Sequence, residues 1–344
     1  MPAPKPAPIL PSAKLSTPPG LPMVRHTSFG VYARFWSTLA GVWIGGCLLL
    51  LGLTSSVAAD PPAKPDQSPV AEDEGKEAEE ADRYIRITKQ NDRPAALQTS
   101  ILRYVPTDKS RWANSGLTID LIGAVHVGEK SYYDSLNREF ARYDAMLFEL
   151  VAPEGTVIPK GGGERRGGNP ISALQGGLKS MLALEFQLEQ IDYTKPNFVH
   201  ADMTPDEMAA SMKKRGESVL TMLFKMLSSG FGKAGQPNDV EIFMALFAKD
   251  RSVRLKRVMA KQVVDMETLN AALAGPDGSS TLIGERNRKA LEVMSREIDQ
   301  NGKRRIAIFY GAGHLPDFDR RLLKEFQLKR VDNVRWLTAW DLTK

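Results

Sequence analysis

One apolar run of the chain ends in Ile122-Gly123-Ala124-Val125-His126, and a second ends in Tyr310-Gly311-Ala312-Gly313-His314. After each Gly-x-x-His comes a segment with the pattern of a helix, and then an aspartate, Asp144 or Asp332, at the same distance beyond the histidine. This match predicts a duplicated unit of strand, helix and strand. Because the chain has only four histidines, two at matched positions indicate one shared site, and a metal ion is the favoured reason for two imidazoles to meet.

The duplicated units predict an α/β fold with a central mixed sheet. Apolar runs without polar alternation are typical of strands that are covered on both faces. In open α/β sheets ligands bind beyond the carboxyl ends of the strands, and both histidines fall at such ends. The elements predicted for the two units are strands over 117–122, 145–151, 305–310 and 334–339 and helices over 130–143 and 318–326.

Between the two units lies a long segment, residues 171–300, that is predicted to be a large helical insertion. Thr204, Pro205 and Glu207 form a capping box with proline in the first turn, which predicts a helix start. Further helices are expected from the apolar spacing near 219–227, over 239–249 and over 282–299. Two more strands, 84–87 and 99–105, are expected before the first unit.

The first 82 residues are expected to lie outside the folded domain. Residues 35–59 carry no charge, follow Arg25 and Arg34, and end in Val57-Ala58-Ala59, which predicts a secretory signal cleaved after Ala59. An uncleaved membrane anchor is the alternative. Both interpretations place the domain outside the cytoplasm. It would be periplasmic or extracellular, or it would be tethered to the outer face of the membrane. Residues 60–82 are rich in proline and acid and predict a disordered linker, so the domain is expected over 83–344.

Composition excludes several function classes. The net charge is +5, but four basic residues and no acidic ones lie in residues 1–59, so the remainder is nearly neutral and a nucleic-acid partner is not expected. The only cysteine, Cys47, lies inside the apolar leader. Disulfides, thiol catalysis and cysteine metal ligands are therefore excluded for the domain.

Glu149 is a third candidate for the shared site, because it interrupts an apolar strand. A carboxylate buried there is costly without a partner, and a cation removes that cost. Two histidines and one glutamate with an open position form the ligand set of a catalytic metal ion, whose bound water attacks a carbonyl. Glu149 could instead be the general base, or it could form a buried ion pair with Arg or Lys.

The segment Glu285-Arg286-Asn287 places polar groups beside an apolar helix face. Asn287 shares that face and so either satisfies a core hydrogen bond or points into a site. Arg286 flanks it and could stabilise an oxyanion or hold a substrate carboxylate, while Glu285 could simply pair with Lys289. His200 and Asp202 could supply a further ligand or acid, although a lone histidine near a helix start is more often structural.

In this order, Gly123–His126, Phe148–Leu150, Glu285–Asn287 and Gly311–His314 resemble the TraB/PrgY/GumN family, which is related to the Tiki metalloproteases. More distant relatives are the erythromycin esterases (EreA) and the haem-binding ChaN-like proteins. The resemblance covers about residues 117–342 and implies an EreA/ChaN-like fold. It implies a metal-dependent, proteolytic hydrolase with His126, Glu149 and His314 at the metal and Glu149, Glu285, Arg286 and Asn287 as catalytic residues.

Three hypotheses follow for function. The first is an exported metal-dependent hydrolase that cleaves peptide or amide bonds in a peptide or protein substrate. The second is a binding protein for haem or a peptide on the same scaffold, without turnover. The third is a relic whose histidines satisfy core hydrogen bonds. Zinc, manganese and cobalt all accept imidazole and carboxylate ligands, so the divalent metal ion is not identified by ligand type.

Overall fold

The computed structural model describes residues 83–161, 182, 184–217, 248, 250–273 and 280–344. The predicted leader, the acidic linker and the helices expected near 219–227 and over 239–249 lie outside the described residues. None of the helices in the described ranges has both the length and the apolar character needed to cross a membrane.

The centre of the molecule is a mixed eight-stranded sheet, as the duplicated units predict. The strands of the described chain are β1 (Ile85–Gln90), β2 (Arg93–Pro106), β3 (Thr118–Ala124), β4 (Val127–Gly128), β5 (Ala145–Phe148), β6 (Glu185–Phe186), β7 (Phe198–His200), β8 (Arg305–Gly311), β9 (Leu328–Arg330) and β10 (Arg335–Asp341). Four of them, in the order β3-β8-β5-β7, run parallel. The long strand β2 pairs antiparallel with β3, β1, β9 and β10, while β4 and β6 form a separate two-stranded ribbon.

The register of the parallel strands brings the two Gly-x-x-His motifs side by side. Strands β3 and β8 pair over their whole length, and Ala124 lies opposite Gly311 at the end of that pairing. Strand β5 pairs with the other edge of β8, with Phe148 opposite Phe309. The carboxyl ends of both units therefore meet at one edge of the sheet.

Helices cover both faces of the sheet. They are α1 (Lys130–Phe140), α2 (Gln187–Gln190), α3 (Pro205–Arg215), α4 (Arg251–Leu273), α5 (Arg286–Asp299) and α6 (Leu315–Lys324). Alternate strand residues point to opposite faces, so Ile122 and Phe309 pack with α1 and α4, while Leu121 and Ile308 pack with α5 and α6. This burial on both faces explains why the parallel strands are mostly apolar in sequence.

Several boundaries differ from the predictions for physical reasons. Strand β2 begins at Arg93 because Asn91 and Asp92, both with positive φ, form a tight turn that joins it to β1. Helix α6 begins at Leu315, since a 3₁₀ turn over Ala312–His314 leads into it and a proline lies in its first turn. The segment expected to be helical also contributes β6 and β7, of which β7 extends the parallel sheet.

The capping box predicted before α3 is confirmed. The Thr204 side chain accepts a hydrogen bond from the Glu207 backbone, and the Glu207 side chain accepts one from Thr204 N. The helix predicted over 282–299 begins instead with a π-helical turn over Thr281–Glu285, which then continues as α5. Turns of this kind often occur at functional sites, and this one directly precedes Arg286.

Candidate active site

The candidate residues converge at the carboxyl ends of the four parallel strands. His126 follows β3, Glu149 follows β5, His314 follows β8, and Asp202 follows β7. Helix α5 lies across one face of the sheet and begins with Arg286, at the level of these strand ends. The structure thus gathers side chains that are as far apart as residues 126 and 314 in the sequence.

A buried guanidinium forms the centre of the site. Arg286 Nη2 donates to Glu149 Oε1 at 2.7 Å and to Asp202 Oδ2 at 2.6 Å, and Arg286 Nε donates to Asp202 Oδ1 at 3.0 Å. Among the described residues, the Nη1 atom makes only long contacts, at 3.4 Å with the Leu282 carbonyl and 3.5 Å with His314 Nε2. Nη1 is therefore the donor of this guanidinium that is least engaged by the protein.

Glu149 forms the buried ion pair that was the alternative to metal ligation. It is 8% exposed, and its second oxygen, Oε2, accepts the Gly311 N–H at 2.8 Å. Burial alone raises the pKa of this carboxyl, but the charge of Arg286, followed by the two histidines and the Gly311 hydrogen bond, holds that pKa well below its usual range. Glu149 is therefore ionised, and its charge is shared with Arg286.

His314 is held in a defined orientation by Asn287. The ring atom Nδ1 lies 2.6 Å from Asn287 Oδ1, and the Asn287 amide nitrogen donates to the His314 carbonyl and to Asp317 Oδ2, both at 3.0 Å. Because the amide oxygen only accepts, Nδ1 carries the proton. Because a guanidinium only donates, Nε2 presents its lone pair to Arg286 Nη1. Desolvation lowers the pKa of His314 to about 4, so the ring is neutral near pH 7.

His126, from the first unit, interacts electrostatically with the same carboxylate. Burial lowers the pKa of its ring, while the charge of Glu149 raises it and the charge of Arg286 lowers it. Its side chain is nevertheless partly exposed, whereas His314 is 6% exposed. Of the two neutral imidazoles, His126 is the one that a substrate reaches more readily.

The geometry bears on the predicted metal site. Glu149 Oε1 and His314 Nε2 lie 3.7 Å apart, but Arg286 donates to that same carboxylate oxygen and also contacts that same nitrogen. The part of the chain that the structure describes contains no group of three or more His, Cys, Asp or Glu side chains arranged to hold a metal ion. A positive group, Arg286, therefore lies on the side of Glu149 that would face a shared ion, and the metal site stays a prediction.

Two candidates lie away from this centre. Glu285 pairs with Arg288 and, at 3.4 Å, with Arg215, so it does not join the cluster. Its expected partner Lys289 instead bonds Glu207 at 2.7 Å. The ring of His200 lies 2.5 Å from the Leu150 carbonyl, which is the structural role that is more common for a lone histidine.

The sequence analysis did not identify Gln187, which is the first residue of α2 and lies beside His126. It had a weak signal, because a polar residue stands among Phe186 and Leu188 within an apolar stretch. From the sequence, Asp202 was a candidate ligand or acid. In the structure it is the second carboxylate that pairs with Arg286.

Comparison of the chain with family models, with curated proteins and with solved structures found no match. The resemblance to the TraB/PrgY/GumN family therefore stays a prediction from the motifs.

Proposed function

We propose that this chain is an exported hydrolase that cleaves an amide or peptide bond at the site around Arg286. The observation that carries the proposal is a weakly engaged guanidinium donor, Arg286 Nη1, which lies beside the neutral ring of His314, while the charge of the same guanidinium also acts on the ring of His126. Hydrolysis needs a base for water and a positive group for the oxyanion, and these residues are of the types that supply both.

In the proposed reaction, His126 takes a proton from a water molecule as the water oxygen bonds to the substrate carbonyl carbon. The carbonyl oxygen becomes an oxyanion and accepts a hydrogen bond from Arg286 Nη1. The carbon–nitrogen bond then breaks, and the imidazolium of His126 returns its proton to the leaving amine. Water is thereby divided between an acid product and an amine product.

Glu149, Asp202 and His314 set the position of the guanidinium in this scheme. The two carboxylates fix Arg286 Nε and Nη2, so Nη1 is directed without reorganisation. Nη1 itself contacts both His314 Nε2 and the Leu282 carbonyl. Their fixed positions support catalysis rather than simple binding, because a preorganised donor is of most use to a charge that develops during reaction.

Membership of the TraB/PrgY/GumN family, an EreA/ChaN-like fold and export by the apolar leader are parts of the same proposal. The mixed sheet with motifs at the ends of β3 and β8 supports the fold assignment. Dependence on a divalent metal ion stays a prediction, and no step above passes through one.

A turnover assay of the full chain tests the proposal. The purified protein is incubated with fluorogenic peptide amides and with p-nitrophenyl esters, with and without a chelator. We expect turnover that is lost in His126→Ala and kept in His200→Gln, the matched histidine variant outside the cluster. Loss with the chelator and recovery with zinc, manganese or cobalt would establish the metal. Absence of turnover, with haem or peptide still bound, would leave the binding-protein hypothesis.

A further inference from the structure

The segment that contains Gln187 is fastened to the chain around His126. Strands β4 and β6 pair antiparallel, with Val127 opposite Phe186 and Gly128 opposite Glu185. Directly after this pairing, Gln187 N donates to the His126 carbonyl at 2.9 Å. The backbone of Gln187 is therefore fixed relative to the backbone of His126.

The Gln187 side chain is buried, and one end of its amide is anchored. The residue is 7% exposed, and its Nε2 donates to the Tyr193 hydroxyl at 2.9 Å. Its Oε1 is buried and has no hydrogen-bond partner within the described chain. The interaction of this side chain with the His126 ring raises the pKa of that ring, as expected when a carbonyl oxygen faces a ring N–H.

A buried amide beside a histidine also occurs at His314, where the hydrogen bond is short. There an amide oxygen, Asn287 Oδ1, accepts from the ring and leaves the other ring nitrogen with its lone pair. A buried amide oxygen without a donor is unfavourable, so a ring N–H from His126 is the favourable partner for Gln187 Oε1. Such contacts are often long in the free enzyme and tighten in the substrate complex.

We infer that Gln187 is a positioning residue that holds one nitrogen of His126 protonated and turns the other, with its lone pair, toward the attacking water. Its effect on rate rests on the proposed function, whereas its effect on the ring does not. Partners that set the orientation of a functional histidine commonly change activity about 10- to 100-fold when they are removed.

Two measurements on the full chain test this inference. The first is the ¹⁵N spectrum of histidine-labelled protein at a fixed pH of about 7.5, which is above the usual histidine pKa of about 6.5. The chain has four histidines, so their ring nitrogens can be assigned by substitution. We expect His126 to show one protonated and one bare nitrogen in the wild type and averaged signals in Gln187→Met, while His314 stays unchanged. In Asn287→Leu the change should appear at His314 and not at His126.

The second measurement is kinetic, with the fluorogenic peptide amides described above. We expect kcat to fall about 10- to 100-fold in Gln187→Met with KM nearly unchanged, and Gln187→Glu, which keeps an oxygen acceptor, to recover much of kcat. If Gln187→Met does not fold, Gln187→Asn shortens the side chain by one methylene and replaces it in both measurements.

An unchanged His126 spectrum in the variants would overturn the inference, as would an equal loss of kcat in Gln187→Met and Gln187→Glu. If the wild type cleaves none of the probes, the proposed function fails, and the spectrum alone then decides whether Gln187 sets the His126 ring.

Discussion

The two Gly-x-x-His units end at neighbouring positions of the sheet, yet the surroundings of their histidines differ. His314 lies in a 3₁₀ turn that leads into α6, and its ring is held at Nδ1 by Asn287. Its partner Asn287 is in turn held by Asp317, which also pairs with Arg321 at 2.8 Å. His126 lies in the link between β3 and β4, and it is partly exposed.

This difference indicates a division of labour between copies of one motif. The second unit supplies a buried histidine that belongs to a network of hydrogen bonds, whereas the first supplies a more accessible imidazole. The charge of the Arg286 guanidinium acts on both rings. Neither unit contains this residue, because it comes from the intervening segment through α5. The two rings thus follow β3 and β8, whereas the charge that acts on both rings comes from the segment of the chain between these two strands.

Removing that shared guanidinium breaks both units and has the largest expected effect. Arg286→Met leaves Glu149 and Asp202 buried without a cation, and loss of one partner from a buried pair is unfavourable by about 3–5 kcal/mol. Urea unfolding should show this loss in the free energy of unfolding. Arg286→Lys keeps the charge without the planar fork, so it should lose less stability. Adding Glu149→Gln and Asp202→Asn to Arg286→Met should recover stability, and no recovery would show that the ion pairs are not the cause.

Acidification sharpens the comparison by charging the buried ring of the second unit. The His314 pKa is lowered from 6.5 to about 4, so between these values the unfolded chain binds more protons than the folded one. Its contribution to stability is complete above about pH 6.5 and is lost as the pH falls toward 4, by about 3 kcal/mol in total. The pKa of Glu149 is also lowered, which removes further stability as the pH falls through and below about 4.3.

Free energies of unfolding at pH 7.5 and pH 5 measure this effect. His314→Gln cannot titrate and should show a flatter dependence than the wild type, although His126, whose pKa is also lowered, keeps part of the slope. Equal slopes for the wild type and His314→Gln would mean that the ring does not titrate in a buried environment.

The sequence predicted the elements of this comparison better than their connections. Strands β3, β5 and β8 could be predicted because each is buried on both faces and is therefore mostly apolar, with Asp120 as a buried polar residue within β3. The histidines and Glu149 were readable because they interrupt or end such runs. The Asp202–Arg286 pair was not readable, because no local pattern links residue 202 to residue 286, and the short strand β7 that places Asp202 lies in a stretch that resembles helix.

Removing the amide of Asn287 tests the rigidity of the second unit alone. Asn287→Leu removes the acceptor of the His314 Nδ1 proton and one donor to Asp317 Oδ2. This loss should lower the free energy of unfolding by about 1–3 kcal/mol. Denaturant unfolding measures the loss. Asn287→Asp keeps an acceptor for the ring but places a second carboxylate beside Asp317, so it should bind the ring and still lose stability. A neutral Asn287→Leu would indicate that His314 is held by packing against Tyr310 and Phe318 instead.

The motif glycines give the smallest expected effect and separate the two units by local space. Neither glycine has positive φ in the described chain, so close approach rather than backbone freedom is the constraint. A Cβ at Gly123 would lie 3.3 Å from Leu315 Cδ2 and 3.5 Å from the Ser100 and Tyr84 carbonyls, whereas at Gly311 its nearest neighbour is Glu149 Oε2 at 3.5 Å.

Overpacking of a core is unfavourable by about 1–3 kcal/mol. Because the Leu315 side chain can shift slightly, we expect about 1 kcal/mol for Gly123→Ala and less for Gly311→Ala. Thermal unfolding of the two variants under one buffer compares them directly. The reverse order would show that the Gly311 N–H bond to Glu149, rather than space at Gly123, is the more sensitive feature of the repeated motif.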